Sequence, residues 1–272
     1  MNRMMVTATN TLGQLQKQMD LIGNNLSNAD TTGYKKREAT FSDLLVQQVN
    51  NQRVDRFESG RLTPLGVREG SGARLSKTAL NLTQGTLKAT GRSLDFALKD
   101  ERQFFKVDDG TDVRYTRDGA FYSTPMDNGR SMLVNASGFP ILDENDDPIT
   151  FSDEASTFEL GDNGVLSITG PAGTENVDLG IVTIARPQFL EQLGGNMIGL
   201  RTDVGVNRNE VLTNLTGAGR TGISITQESL EASNVDLGRE MTDLLNVQRS
   251  YQFQTRSITM ADQMMGLVNG IR

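Results

Sequence analysis

The stretch MVTATNTLGQLQKQMDLIGNNL, residues 5–26, carries apolar side chains at Met5, Ala8, Leu12, Leu15, Met19, Ile22 and Leu26. The spacing alternates three and four without a break, the a/d heptad pattern of a helix with one narrow apolar seam. Between the seam positions stand mostly polar residues, among them Gln14, Gln16, Lys17, Gln18 and Asp20. Gly13 lies inside the run and costs the helix up to about 1 kcal/mol relative to Ala. The pattern stops in Asn24-Asn25-Leu26-Ser27-Asn28-Ala29-Asp30-Thr31-Thr32-Gly33, a composition suited to caps and turns.

The other end of the chain repeats the design at greater length. Leu237, Met241, Leu244, Val247, Tyr251, Ile258, Ala261, Met265 and Val268 fall on one stripe, broken by Gln254. Ser233 or Asn234 suits the helix start and Gly270 its end. At about 1.5 Å per residue a helix over residues 236–269 is a rod on the order of 50 Å, and the N-terminal one roughly two thirds of that. An amphipathic helix often packs on its own domain. Two narrow seams at opposite chain ends suit coiled-coil contacts better than broad burial on a sheet, so these residues are expected to pack between copies of the chain.

Between the helices the period changes to that of strands. Gln103-Phe104-Phe105-Lys106-Val107, Val113-Arg114-Tyr115-Thr116, Gly119-Ala120-Phe121-Tyr122, Met132-Leu133-Val134 and Ile181-Val182-Thr183-Ile184 are short and rich in aromatic or β-branched residues. Asp109-Gly110, Asp118-Gly119, Asn128-Gly129, Ser137-Gly138 and Asn163-Gly164 separate them, and these dipeptides suit tight hairpins because they tolerate positive φ. The expected fold is α+β. Residues 1–44 and 228–272 form a discontinuous helical assembly domain, residues 45–92 an extended connector with short strands, and residues 93–227 a mainly antiparallel β domain.

Composition narrows the chemistry. The chain has no cysteine and no histidine, which removes disulfides, thiolate metal sites, cysteine nucleophiles and the commonest general base. A formal charge of −7, with lysines and arginines scattered among acids, speaks against a nucleic-acid partner. No stretch approaches the roughly 18 apolar residues of a spanning helix. Polar residues Asn2, Arg3, Thr7, Thr9, Asn10 and Gln14 interrupt any secretory signal core.

One metal pattern is present. Asp143, Asn145, Asp147 and Glu154 stand at positions 1, 3, 5 and 12 of a calcium loop, yet Pro148 takes the sixth position, where the turn needs glycine. The flanks read as strands, so an acidic hairpin tip in water is the favoured reading. Gly70-Ser71-Gly72 lacks the Lys-Ser/Thr and helix of a phosphate loop. Carboxylates are plentiful enough for a glycosidase-like pair, but they cluster at turns. No catalytic, cofactor-binding or metal-ligating residue is expected.

Asn24-Asn25-Leu26-Ser27-Asn28-Ala29-Asp30-Thr31-Thr32-Gly33-Tyr34-Lys35 resembles the N-terminal signature of the bacterial flagellar axial proteins, which build the rod and hook. Leu230-Glu231-Ala232-Ser233-Asn234-Val235-Asp236, through Gln248-Arg249-Ser250-Tyr251 and Asp262-Gln263-Met264, resembles their C-terminal signature. The middle agrees: Ser93-Leu94-Asp95-Phe96-Ala97-Leu98, Phe104-Phe105-Lys106-Val107, Tyr115-Thr116-Arg117-Asp118-Gly119 and Asn135-Ala136-Ser137-Gly138-Phe139-Pro140 are similar to the family's β domain. Gly66-Val67-Arg68-Glu69-Gly70-Ser71-Gly72-Ala73-Arg74 resembles the connector of distal-rod members. Asp100-Glu101-Arg102-Gln103 departs from the family, which carries glycine there.

The resemblance implies a distal-rod subunit that leaves through the flagellar type III export apparatus and polymerises outside the inner membrane, in the periplasm or cell-wall layer. Its partners would be copies of itself and neighbouring rod and hook proteins, with terminal helices lining a hollow tube that transmits torque. No membrane insertion, cofactor or small-molecule substrate is implied. Hook, proximal-rod or junction subunits share the architecture, and a wall-cleaving domain carried on assembly helices is the alternative of a different class. Asn25, Asn28, Thr32, Gly33, Tyr34, Lys35, Ser233, Asn234, Val235, Gln248, Arg249 and Tyr251 are the signature positions.

Overall fold

The computed structural model describes residues 2–43, 46–49, 67–70, 73–171, 173–201, 205 and 207–270. Two compact units emerge, one of residues 1–24, 38–78 and 238–272, the other of residues 25–37 and 79–237. Helix α1 spans Asn2–Ser27, a one-turn α2 spans Arg208–Val211, and α3 spans Leu237–Gly270. The long helices form where the heptad periods run. Their many Ser and Thr residues are accommodated by donating back along the helix, Thr9 Oγ1 to the Met5 carbonyl and Thr242 Oγ1 to that of Gly238.

On each long helix two seam residues are nearly closed to solvent. Ala8 and Ile22 are buried on α1, Val247 and Ala261 on α3. Both pairs are fourteen residues apart, about four helical turns, so each pair shares one face. A helix cannot cover its own side chains, and this cover comes from within a single chain. Val46–Val49 pairs antiparallel with Val67–Gly70 in the first unit, and Arg37–Asp43 and Ala73–Leu80 form a second two-stranded sheet. Of the connector, residues 45, 50–66 and 71–72, including part of the Gly70-Ser71-Gly72 run, lie outside the described residues.

The second unit is built on a six-stranded antiparallel sheet. Its order is Leu190–Gln192, Met197–Leu200, Val113–Thr116, Gln103–Asp108, Ile181–Ile184, Leu212–Asn214. Successive side chains of a strand point to opposite faces. Phe104 joins Tyr115, Val182 and Ile184 on one face, and Phe105 joins Phe96, Phe121 and Ile181 on the other. Both phenylalanines are fully buried, so the sheet is covered on both sides. That is why this segment reads as a continuous apolar run rather than an alternating one. Two three-stranded sheets, around Arg130–Val134 and Val165–Gly170, extend the unit.

Four of the five turn dipeptides act through positive φ, at Gly110, Gly129, Gly138 and the pair Asn163-Gly164. Asp118-Gly119 does not. A Cβ on Gly119 would lie 1.8 Å from the Phe96 carbonyl oxygen, so this glycine serves a close backbone approach.

The acidic segment after Leu142 closes on itself. Asp143 Oδ1 accepts the N–H groups of Asn145 and Asp147 at 2.8 and 2.9 Å. The buried Lys106 reaches in from the central sheet, donating to the Glu144 carbonyl at 3.0 Å and to Asp146 Oδ1 at 2.8 Å. Within this loop Lys106 thus faces the Asp146 carboxylate, while the Glu144 carboxylate accepts from Arg220 Nη1 at 3.3 Å.

Candidate functional site

Beyond Ser27 the chain cannot stay helical, and Gly33 takes φ +68°. A Cβ there would sit 2.4 Å from the Asp118 nitrogen, so only glycine lets this segment lie against the Arg117-Asp118 backbone. Thr32 Oγ1 donates to Asp118 Oδ1 at 3.1 Å, and Asn196 Nδ2 donates to the Thr32 carbonyl at 2.9 Å. Burial pushes the Asp118 carboxyl above its usual range, against the hydrogen bonds from Ala120 N–H and Thr32 that hold it down.

The next residues turn inward. Asn25 Oδ1 accepts from Tyr34 Oη at 3.2 Å and from Arg37 N–H at 3.0 Å, while its Nδ2 donates to the Arg37 carbonyl at 3.0 Å. The side chain of one asparagine thus staples the turn that follows α1. Lys35 then points into the unit and meets Glu231 at 2.7 Å, both side chains 1% exposed. Lys35 Nζ also donates to the carbonyls of Leu82 and Thr83 at 3.3 and 2.8 Å.

Glu231 has a second cation. Arg117 Nε donates to Glu231 Oε2, and its Nη1 and Nη2 donate to the carbonyls of Asp100, Gln103 and Leu98. Gly85 N–H gives Glu231 Oε1 another bond at 2.8 Å. A buried carboxylate needs this degree of satisfaction, because its desolvation is offset only when charge and lone pairs are both met. Burial pulls the Lys35 ammonium below its ordinary pKa, Glu231 opposes that, and Arg117 adds to it.

Two further ties close the cluster. Gly33 N–H donates to the Glu231 carbonyl at 2.8 Å. Asn234 Oδ1 accepts from Lys36 N–H at 2.8 Å while its Nδ2 donates to the carbonyls of Asn81 and Thr83 at 2.9 and 3.0 Å. Residues 25–37, 81–85, 98–118 and 231–234 are thereby drawn into one clasp. It explains why the compact unit takes in residues 25–37, which the sequence reading grouped with the terminal helices.

The signature positions divide in two. Asn25, Thr32, Gly33, Tyr34, Lys35 and Asn234 belong to the clasp. Asn28 closes the turn after α1, its N–H donating to the Asn25 carbonyl at 3.2 Å, and Ser233 Oγ accepts from Val235 N–H at 3.3 Å ahead of α3. Gln248 and Arg249 are exposed on α3, and Tyr251 is half-buried there. Sequence reasoning quoted Arg117 and Glu231 within motifs but assigned them no role. The available signal was a Lys, an Arg and a Glu, one in each motif.

Of the expected seam, Met5, Leu12, Leu15, Met19, Leu26, Leu244, Tyr251, Ile258 and Met265 are half-buried, while Leu237, Met241 and Val268 are exposed. Ala8, Ile22, Val247 and Ala261 are already covered within one chain. The sequence reading missed a second apolar stripe on α3. Phe253, Met260, Met264 and Leu267 recur at intervals of seven, four and three, so they share a face, and each is about half or more exposed, Phe253 at 70%. Among the described residues no helix is long and apolar enough to cross a membrane.

Three family models match: "Flagella basal body rod protein" over residues 5–35, "Flagellar hook protein FlgE/F/G D1 domain" over 101–168, and "Flagellar basal body rod FlgEFG protein C-terminal" over 226–271. Among similar proteins is the flagellar hook-basal body complex protein FlhP of Bacillus subtilis, 38% identical over the whole of both chains. The flagellar basal-body rod protein FlgG of the same organism is 31% identical over 97% of each chain. FlgG of Borreliella burgdorferi is 31% identical over 100% of this chain and 99% of its own. The first match carries Asn25, Gly33 and Lys35 of the clasp, the middle one Arg117, and the last one Glu231 and Asn234. The chain belongs to the flagellar basal-body rod and hook protein family.

Proposed function

We propose that this chain is a structural subunit of the bacterial flagellar basal-body rod, of the distal type, polymerising through its terminal helices. The exposed stripe of Phe253, Met260, Met264 and Leu267 carries the reading. Four large apolar side chains on one face of a helix gain free energy when covered, roughly 25 cal/mol per Å² of apolar area removed from water. A heptad-related spacing suits another helix as the cover. The half-buried seam residues, Leu12, Leu15, Leu244 and Ile258 among them, would complete their burial in the same step.

The family is structural, and the chain is read as non-catalytic. Its partners are then further copies and neighbouring rod and hook proteins. Delivery through the flagellar export apparatus to a position outside the inner membrane is part of the same proposal.

The test is assembly of the purified chain, alone and seeded with rod or hook fragments, followed by sedimentation and electron microscopy. Phe253→Asp with Leu267→Asp should abolish polymer formation and motility while leaving thermal unfolding of the β unit unchanged. Polymers formed normally by the double variant would sink the assignment of this face.

A further inference from the structure

We infer that the β unit is closed by its own last strands, so that it stays open until residues 225–234 come back to residues 33–36 and 81–98. Leu87–Ala89 pairs antiparallel with Ser229–Glu231, and Phe96–Leu98 pairs antiparallel with Ile225–Gln227. Each pair is a two-stranded sheet, so these two early strands have no other ladder partner among the described residues. Gly33 and Lys36 are tied to the same late segment, their N–H groups donating to the Glu231 carbonyl and to Asn234 Oδ1, each at 2.8 Å. The start and the finish of the unit are thus each other's partners, and the six-stranded sheet is built from residues in between.

The late segment brings more than ladder bonds. Ile223 and Ile225 pack in the cluster that holds Phe96 and Leu98, both fully buried. Gln227 Nε2 donates to the carbonyls of Ser93 and Phe158 at 2.8 and 2.7 Å, and the Gly222 carbonyl accepts from Gln103 Nε2 at 2.9 Å. Among the described residues Glu231 is the one carboxylate ion-paired with Lys35 or with Arg117, whose side chains are 1% and 0% exposed. A cation at such a position needs its counter-ion before it can leave water. Arg117 carries that requirement into the middle of the unit, because its guanidinium also bonds the carbonyls of Leu98, Asp100 and Gln103. Until Glu231 arrives, the segments that hold the two cations have to stay hydrated.

Closure over such a distance is slow, because the entropy of joining remote segments is lost before their contacts reward it. A chain is synthesised from its N-terminus onward, and one threaded through a channel in that direction carries the early strands out first. Those strands then wait unpaired, and a chain interrupted before residue 225 has no closed β unit to bring to a polymer. The fold thereby screens out incomplete copies. That use rests on the assembly reading above, whereas the closure is a property of the single chain.

The experiment refolds the full-length monomer from urea and labels its amides with exchange pulses at successive times. Thr90, Lys99 and Ala232 report closure, since their N–H groups donate to the carbonyls of Glu228, Ser224 and Thr86 at 2.7, 2.8 and 2.9 Å. Phe105, Val107 and Thr116 report the hairpin of the central sheet, whose two strands are neighbours in sequence. Both sets should gain protection in one phase, and Glu231→Gln should slow that phase several-fold at both. Asn234→Ala, a milder change, should slow it in the same direction and serves where Glu231→Gln does not refold. Hairpin amides protected in an earlier phase, while the closure amides still exchange freely, would overturn the inference. So would variants that refold at the parent rate and only unfold faster, because closure would then follow the rate-limiting step. Neither readout involves polymer, so a chain that refolded as expected but failed to polymerise would count against the assembly reading alone.

Discussion

Lys35 Nζ and Glu231 Oε1 lie 2.7 Å apart, both side chains 1% exposed, and they are 196 residues apart along the chain. The two ends of the protein are therefore joined by a buried ion pair before any second copy is present. Arg117 meets the other oxygen of the same carboxylate, so one anion serves two cations.

That asymmetry sets the order of mutational effects. Glu231→Gln leaves Lys35 and Arg117 buried without a counter-ion, and breaking a buried pair in this way costs about 3–5 kcal/mol. Lys35→Met leaves Glu231 still paired with Arg117 and should cost distinctly less. Denaturant unfolding of the two variants should rank Glu231→Gln as the less stable. The reverse ranking would mean that Arg117 does not satisfy Glu231.

The clasp also predicts where proteases stop. Termini yield to digestion unless tied down, and here the ties begin at Asn25 and end at Asn234. Limited digestion of the monomer, read by mass spectrometry, should leave a fragment beginning near residue 25 and ending near residue 237. A resistant core beginning only after residue 40 would show that the clasp opens in solution.

Asp118 gives a pH dependence with a definite sign. Burial raises its carboxyl pKa above the ordinary 3.8, so between that value and its folded value the folded state holds the proton more tightly. Stability from this group falls as pH rises through that window and stays reduced above it. Asp118→Asn keeps a carbonyl oxygen for Thr32 and Ala120 to bond. It should stabilise the protein at neutral pH, with the gain vanishing below about pH 3.8. Melting temperatures of both proteins across that range provide the check, and a gain growing toward acid pH would contradict the assignment.

Two glycines of similar φ separate strain from collision. Gly110, at φ +85°, has open space where a Cβ would stand, whereas Gly33, at φ +68°, has the Asp118 nitrogen at 2.4 Å. Gly110→Ala should cost about 1–2 kcal/mol, the left-handed backbone penalty alone. Gly33→Ala should cost more than that and loosen the clasp, seen as faster exchange at the Gly33 and Lys36 amides. Equal losses in the two variants would exclude the close packing at Gly33.

The order of helix, strands and helix was legible because each is a local pattern. The heptads from Met5 to Leu26 and the stripe from Leu237 to Val268 follow from side-chain placement on a single helix. The hairpins at Gly110, Gly129 and Gly138 follow from what glycine φ permits. The signature motifs were legible too, as strings, and they led to the right family. What those motifs do was not legible. Lys35, Arg117 and Glu231 meet because the folded sheet brings together segments that no local rule connects, and a motif encodes only its immediate neighbours. Gly119 read as a turn because only the packed Phe96 backbone reveals the other reason for a glycine. Likewise α3 is apolar on two faces, and periodicity alone does not say which is covered. The tertiary structure decided it, burying Val247 and Ala261 and leaving Phe253, Met260, Met264 and Leu267 in water, because burial belongs to the neighbours of a residue and not to its place in the helix repeat.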